Sequence, residues 1–400
     1  MIVSSGNKKV PRLRFPGFSD AWEEKKIDDF GDVITGSTPP TNDRSNYGNE
    51  YDFISPGDMN NGRYVKNSKV RLSKKGFLKS RQIIKGSTLF VCIGSTIGKI
   101  AQASKYSTTN QQINSVVANM DNVDDFVYLV LLRNASRIKR LSGEQAVPLL
   151  SKSDFSKAKV FAPSRPEQTK IAGFLGVVDD KISALQQRKE LLQKYKKGVM
   201  QRIFSQQMRF KDENGQNYLA WREKLGREVF KSVSNRNNGR KLPILAITQD
   251  KGAVPRDQIN YDIYVTEASV DNYKIVRRGD FIISLRSFQG GIEYSDYDGI
   301  CSPAYIILRS VVPIDIQFYK CFLKTSNYIQ RLTKKLEGIR DGKMISFKYF
   351  SDVFLPYPQL NEQQKIGEFL TSIDKKIEAE ERKLEQAKRF KKALLQQMFV

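Results

Sequence analysis

The side chains of widest chemical reach in this sequence are hydrogen-bonding groups set in turns. In the first half they are Ser37, Thr38, Ser55, Asp58, Asn60, Ser95, Thr96 and the run Asn110, Gln111, Gln112. In the second half they are Asn235, Arg236, Gln249, Arg286, Ser287, Gln289, Ser302, Arg340 and Lys343. Arginine can donate two hydrogen bonds to guanine, and asparagine or glutamine can form two with adenine, at the major-groove edge of a base pair. Serine, threonine and lysine more often hold phosphates. The same residue types also fill ordinary turns, so type alone is a weak signal.

Chemistry beyond hydrogen bonding is poorly supplied. The 400 residues include no histidine, which removes the usual general base near neutral pH and the commonest metal ligand. Cys92, Cys301 and Cys321 are isolated and form no C-x-x-C, so a Cys/His zinc site is excluded and a reducing cytoplasm is the expected home. There is no G-x-x-x-x-G-K-[ST] phosphate loop and no strand-linked G-x-G-x-x-G. Thr38-Pro39-Pro40-Thr41 lacks both the asparagine and the aromatic of an adenine-methylating Asn-Pro-Pro-aromatic loop. No run approaches the roughly 18–20 apolar residues of a membrane span, and the N-terminus lacks the apolar core of a secretory signal. Sixty-seven Lys and Arg against 43 Asp and Glu leave a net charge of +24. That surplus favours a polyanionic partner, most commonly nucleic acid. The expectation is a binder, not a catalyst.

The elements that must position these groups are legible from a repeat. Residues 167–182 read EQTKIAGFLGVVDDKI and residues 362–377 read EQQKIGEFLTSIDKKI, identical at nine of 16 positions. A repeat has to be read before any local element. The register continues without a gap to Phe204 and Phe399, and an earlier echo pairs Arg12-Leu-Arg-Phe…Trp22 with Met208-Arg-Phe…Trp221. Apolar positions Ile171, Leu175, Val178, Ile182, Leu185 and Leu192 in one copy, and Ile366, Leu370, Ile373, Ile377, Leu384, Ala387 and Leu394 in the other, follow steps of three, four or seven. Lys189 and Lys196 interrupt this seam. The pattern predicts two long coiled-coil helices, with proline ahead of each. The first, over 167–204, would be about 55 Å long. One chain already carries both strands, so an antiparallel pair within it is the simpler solution. Phe174, Phe369, Phe204 and Phe399 flank the seam and are expected to cover module cores, the alternative being a docking face for another protein.

Between the repeats the chain reads as short strands and polar turns, with short helices predicted at 124–141 and 315–336. Ser87–Ile93 and Asp280–Leu285 form a further aligned pair, each leading into a glycine-rich turn. The predicted plan is an N-terminal segment (1–19), a first module (20–157), a central repeat with its long helix (158–215), a second module (216–352) and a C-terminal repeat with its long helix (353–400). The fold class is α+β: two mixed α/β modules joined by two long antiparallel coiled-coil helices, as a pseudo-two-fold internal repeat. Similar scaffolds with divergent loops are expected where each reads a different target.

Arg12-Leu-Arg-Phe-Pro-Gly-Phe18 with Trp22-Glu-Glu-Lys25, the turn Gly36-Ser-Thr-Pro39, and Pro-x₃-Glu-Gln-x-Lys-Ile opening each long helix together carry a resemblance. So does the restart at Arg209-Phe-Lys-Asp-Glu-Asn-Gly215 followed by Trp221. Over essentially its whole length the chain resembles the specificity subunits of Type I restriction-modification enzymes, in the style of Gram-positive bacterial members. The resemblance implies two target-recognition domains, each reading one half of a split, asymmetric double-stranded DNA sequence. It implies helices that set the gap and dock two methyltransferase (adenine-N6 modification) subunits, to which restriction subunits with endonuclease and translocase activity add. S-adenosylmethionine, ATP and magnesium would bind those partners, leaving this chain non-catalytic, without cofactor or metal, cytoplasmic and off the membrane. In one departure, Gly143-Glu-Gln-Ala-Val147 stands where the second half has Arg340-Asp-Gly-Lys343, so a phosphate clamp in that loop is expected only in the second half. The alternative reading is a stand-alone sequence-specific DNA-binding regulator.

Overall fold

The computed structural model describes residues 9–60, 62–143, 148–236, 242–259, 270–334 and 345–400. The chain divides into two compact units, Met1–Arg188 with Glu380–Val400, and Lys189–Ala379.

In the first unit a five-stranded sheet runs in the order Gly31–Thr35, Ile113–Ala118, Thr88–Val91, Ile100–Ala103, Tyr64–Val65. Its middle strand, Thr88–Val91, is buried at every position, as an apolar run flanked by turns requires. The helix Asp124–Lys139 buries Phe126 through Leu131 in the same core, and Asp124 and Asp125 in its first turn complement the helix dipole. A second sheet runs in the order Val70–Leu72, Tyr47–Ile54, Ser107–Thr109, Gln82–Ile83.

The second unit repeats the principal sheet. Phe230–Val233, Ile306–Ser310, Phe281–Ile283 and Glu293–Tyr294 lie in the same order as the first four strands above. The pairing Glu23–Lys26 with Lys159–Ala162 likewise recurs as Arg222–Leu225 with Phe354–Tyr357. The remaining strands differ: among the described residues the second unit has two separate antiparallel pairs, Leu245–Thr248 with Gly252–Pro255 and Lys274–Val276 with Gly299–Cys301, in place of the second sheet. The helix predicted at 315–336 is two helices, Ile316–Phe322 and Ser326–Lys334. Thr325 breaks it, its hydroxyl donating to Phe322 O (2.8 Å) and accepting from the Tyr328 amide (3.4 Å), which caps a new helix.

The motif that opens each long helix is a clamp, used twice. Arg14 donates from Nε and a terminal nitrogen to the two oxygens of Glu167, both at 2.7 Å. Arg209 grips Glu362 in the same way at 3.1 and 2.8 Å, across the same separation of 153 residues. The following glutamines are also matched. Gln168 accepts from the Val123 amide and donates to Pro163 O; Gln363 accepts from the Asp315 amide and donates to Pro358 O. These bonds tie each helix start to the helix at the back of its module.

The long helices span Arg165–Phe204 and Leu360–Met398. Within the first unit their segments run antiparallel, with Asp179 against Lys391 and Arg188 against Glu380. Within the second unit Lys196 bonds Asp374 at 2.6 and 2.7 Å. The seam does more than was expected of it. Ile171, Leu175 and Val178 lie in the first unit's main core beside Leu394, Met398 and Phe399, while Ile366, Leu370 and Ile373 lie in the second unit's core beside Val199 and Ile203. Leu384 is buried, whereas Ile182, Leu185, Leu192 and Ile377 are half-buried. Each helix start therefore covers a module as well as meeting a helix end. Of the aromatic flanks, Phe399 packs on Trp22 and Phe126, Phe204 on Phe318 and Phe322, and Phe369 on Phe210, whereas Phe174 stays exposed with its ring against Phe15.

Candidate nucleic-acid interface

In the first unit all ten singled-out residues fall in one group of loops. Gly36 admits the approach, because a Cβ there would lie 2.1 Å from Asn110 O and 2.3 Å from Thr109 O. The adjoining Thr38 hydroxyl donates to Gln111 Oε1 at 2.6 Å, and Ser37 Oγ accepts from the Arg81 amide at 2.9 Å. The Asn110 backbone amide donates to Ile54 O at the end of the neighbouring strand, and its side chain donates to Gln112 Oε1 (2.9 Å). Lys99 joins the last loop, donating to Pro56 O (2.7 Å) and to Asn60 Oδ1. Ser95 and Thr96 are exposed at the tip of the turn between Gly94 and Gly98, both with positive φ.

Two of these residues are occupied in holding the loops. Asp58 accepts from the Ser55 amide (2.9 Å), the Ser55 hydroxyl (2.6 Å) and the Lys69 amide (2.9 Å). Partial burial pushes its carboxyl up, but the hydrogen bonds outweigh that and hold it below the usual carboxylate range. Asp58 and Ser55 thus shape the turn, leaving Thr38, Asn60, Ser95, Thr96 and Gln111 exposed beside it.

In the second unit Gln249, Arg286, Ser287 and Gln289 come together at the turn that follows Phe281–Ile283. Gln249 Nε2 donates to Arg286 O at 3.3 Å. Arg286 and Gln289 are exposed. Ser287 is turned inward, 1% exposed, with its Oγ accepting from the Ser284 amide (2.9 Å), so it belongs to the turn's interior. Asn235 and Arg236 are exposed and join through Lys274, which pairs with Arg236 and donates from Nζ to Tyr305 O (2.7 Å). Ser302 caps that loop by accepting from the Ala304 amide. Arg340, Lys343 and residues 144–147 lie outside the described residues. Sequence reasoning missed Arg81 and Lys99 in the first group and Arg256, Lys274, Tyr305 and Lys324 in the second. Only their positive charge marked the cations, among 67 Lys and Arg.

Burial pushes the Cys92 and Cys301 thiols up to about 12 and the Cys321 thiol to about 11, far from a thiolate nucleophile. Among the described residues no group of three or more His, Cys, Asp or Glu is placed to hold a metal ion, and no helix is long and apolar enough to cross a membrane.

The Type I restriction modification DNA specificity domain matches residues 19–194 and again residues 223–389. The chain belongs to this family of Type I specificity subunits. The HindI specificity subunit of Haemophilus influenzae is 34% identical over 149 residues, 36% of this chain, so the chain spans about a third (32%) of that relative. The MjaVIII specificity subunit of Methanocaldococcus jannaschii is 25% identical over 411 residues, covering 97% of this chain and 93% of that relative. The fold is that of a Type I S subunit from M. genitalium, with a TM-score of 0.59 at 18% identity over 98% of this chain and 99% of that one. The two family segments each contain one of the loop clusters and one start of a long helix.

Proposed function

We propose that this specificity subunit reads a split, asymmetric duplex DNA target, the loop cluster of each unit contacting one half. The observation that carries the reading is one strand order built twice with different loops at the corresponding end. A net charge of +24 suits a phosphate backbone, which supplies the sequence-independent share of affinity. The long helices set the gap and dock two modification subunits. S-adenosylmethionine, ATP and magnesium are handled by those and by the restriction subunits, in the cytoplasm. The test is a genome-wide map of N6-methyladenine in a host expressing the chain with and without a matching modification subunit. The expected result is a motif of two short halves around a fixed gap, present only with both proteins. Tight sequence-specific binding by the chain alone, with no new methylation, would favour the stand-alone regulator.

The gap has its own prediction. One heptad inserted between Arg188 and Lys189, and one between Ala379 and Glu380, lengthens each helix by about 10 Å. At about 3.4 Å per base pair the methylated motif should gain roughly three base pairs between unchanged halves. An unchanged gap in the methylation map refutes the helices as spacers.

A further inference from the structure

The repeated strand register allows the two loop clusters to be compared position by position. Ile113–Ala118 pairs with Thr88–Val91 as Ile306–Ser310 pairs with Phe281–Ile283. By this register Tyr305 stands where the first unit has Ile113, next to Gln112, and the turn bearing Arg286 leaves the same strand as the first unit's turn from Gly94. At this place the first unit offers amides and hydroxyls. The second offers cations around a phenol. Burial pushes the Tyr305 phenol up, and the neighbouring Arg256 and Arg286 guanidinium groups oppose that shift. Lys274 holds the Tyr305 carbonyl from beneath the same loop.

Arg256 is the unusual member. It follows the strand Gly252–Pro255, is half-buried, and its backbone amide is fixed on Ile244 O at 3.0 Å. Its Nε is buried and makes no hydrogen bond. Other arginines of this unit are satisfied by carboxylates: Arg309 by Asp280, Arg227 by Asp352 and Arg209 by Glu362. Among the described residues Arg256 and Arg286 have no such partner. A desolvated donor without an acceptor costs stability in the free protein, and an incoming acceptor recovers that cost. A guanidinium fork without a carboxylate partner matches a base edge with two acceptors. Guanine, with O6 and N7, is the base that presents two acceptors in the major groove.

We propose that Arg256 is a specificity-determining residue of the second unit, whose guanidinium donates to the O6 and N7 of one guanine in the second half of the target. This rests on the DNA-recognition reading above. The test uses the full-length chain and duplexes carrying the motif found by methylation mapping. Each guanine of the second half is replaced in turn by 7-deazaguanine, which lacks the N7 acceptor. The wild type should lose on the order of 5- to 150-fold in affinity at one such position. Arg256→Gln should bind the natural duplex correspondingly more weakly and be indifferent to 7-deazaguanine there, with the first half of the motif read as before. A uniform loss on every duplex, with the salt slope reduced by about one, would make Arg256 a phosphate contact and overturn the proposal. Unchanged affinity, or a wild type insensitive to 7-deazaguanine throughout the second half, overturns it as well. Should Arg256→Gln not fold, Arg256→Lys keeps the charge without the fork, and the same readouts decide. If the wild type directs no split motif at all, the underlying reading fails, not the arginine assignment alone.

Discussion

Glu167→Ala should destabilise the first unit by about 3–5 kcal/mol, the range for breaking a buried ion pair by deleting one partner. Glu167 is 1% exposed and Arg14 11% exposed, so the guanidinium left behind cannot recover full hydration. The carboxylate also accepts from Trp22 Nε1 at 3.4 Å, which loses that acceptor too. Glu362→Ala, the corresponding change in the second unit, should cost less. Arg209 is 25% exposed and retains its bond to Leu219 O. Chemical denaturation followed by far-UV circular dichroism checks both. Replacing Arg14 and Glu167 together by apolar residues of similar size should recover much of the loss, because no orphaned charge remains. A Glu167→Ala cost under about 1 kcal/mol would reduce the clamp to an exposed ion pair.

This clamp shows what the chain discloses as a sequence and what it conceals. Arg14 and Glu167 both lie in the motifs that carry the resemblance, yet 153 intervening residues put their contact beyond any periodicity argument. The signal was the equal separation of Arg209 and Glu362, available only because the unit is built twice. Lys196, taken as an interruption of an apolar seam, is the partner of Asp374. A heptad pattern marks which face is inward without indicating whether a charge there will meet its opposite. The long helices and the paired strands were legible because their signals are local and periodic. The loop residues were legible only by type. Thr38 and Ser287 look alike in sequence, but one is exposed against Gln111 and the other is sealed within its own turn. Turn interior and turn surface differ by backbone conformation, which residue type does not encode.

The sharpest consequence concerns Asp179 and Asp374, which occupy identical positions of the repeat and each face a lysine of the other long helix. Sequence would assign them equal weight. The modules break that equality. In the first unit Arg63, brought in by the variable module and 5% exposed at its side chain, bonds Asp179 at 3.2 Å, pairs with Asp125 and donates to Gln102 at 2.6 Å. It also lies over the rings of Tyr64 and Tyr128. Asp179 and Lys391 are 11% and 12% exposed, and burial pushes the Lys391 ammonium down while Asp179 opposes the shift. Asp374 is 41% exposed and bonds Lys196. Asp179→Ala therefore leaves the buried Lys391 without its carboxylate, deprives Arg63 of one of its two, and should cost about 3–5 kcal/mol. Asp374→Ala removes a half-exposed pair and should cost no more than about 1 kcal/mol. Lys391→Met combined with Asp179→Ala should recover part of the first loss but not all, since Arg63 still lacks one partner. Equal costs for the two aspartates in denaturant titrations would mean that the helix pair alone, not the module beside it, decides the strength of each ion pair. Unequal costs would mean that exchanging a variable module also resets the stability of the helix segment it packs on, so a swapped module should be accompanied by a partner for Asp179 equivalent to Arg63.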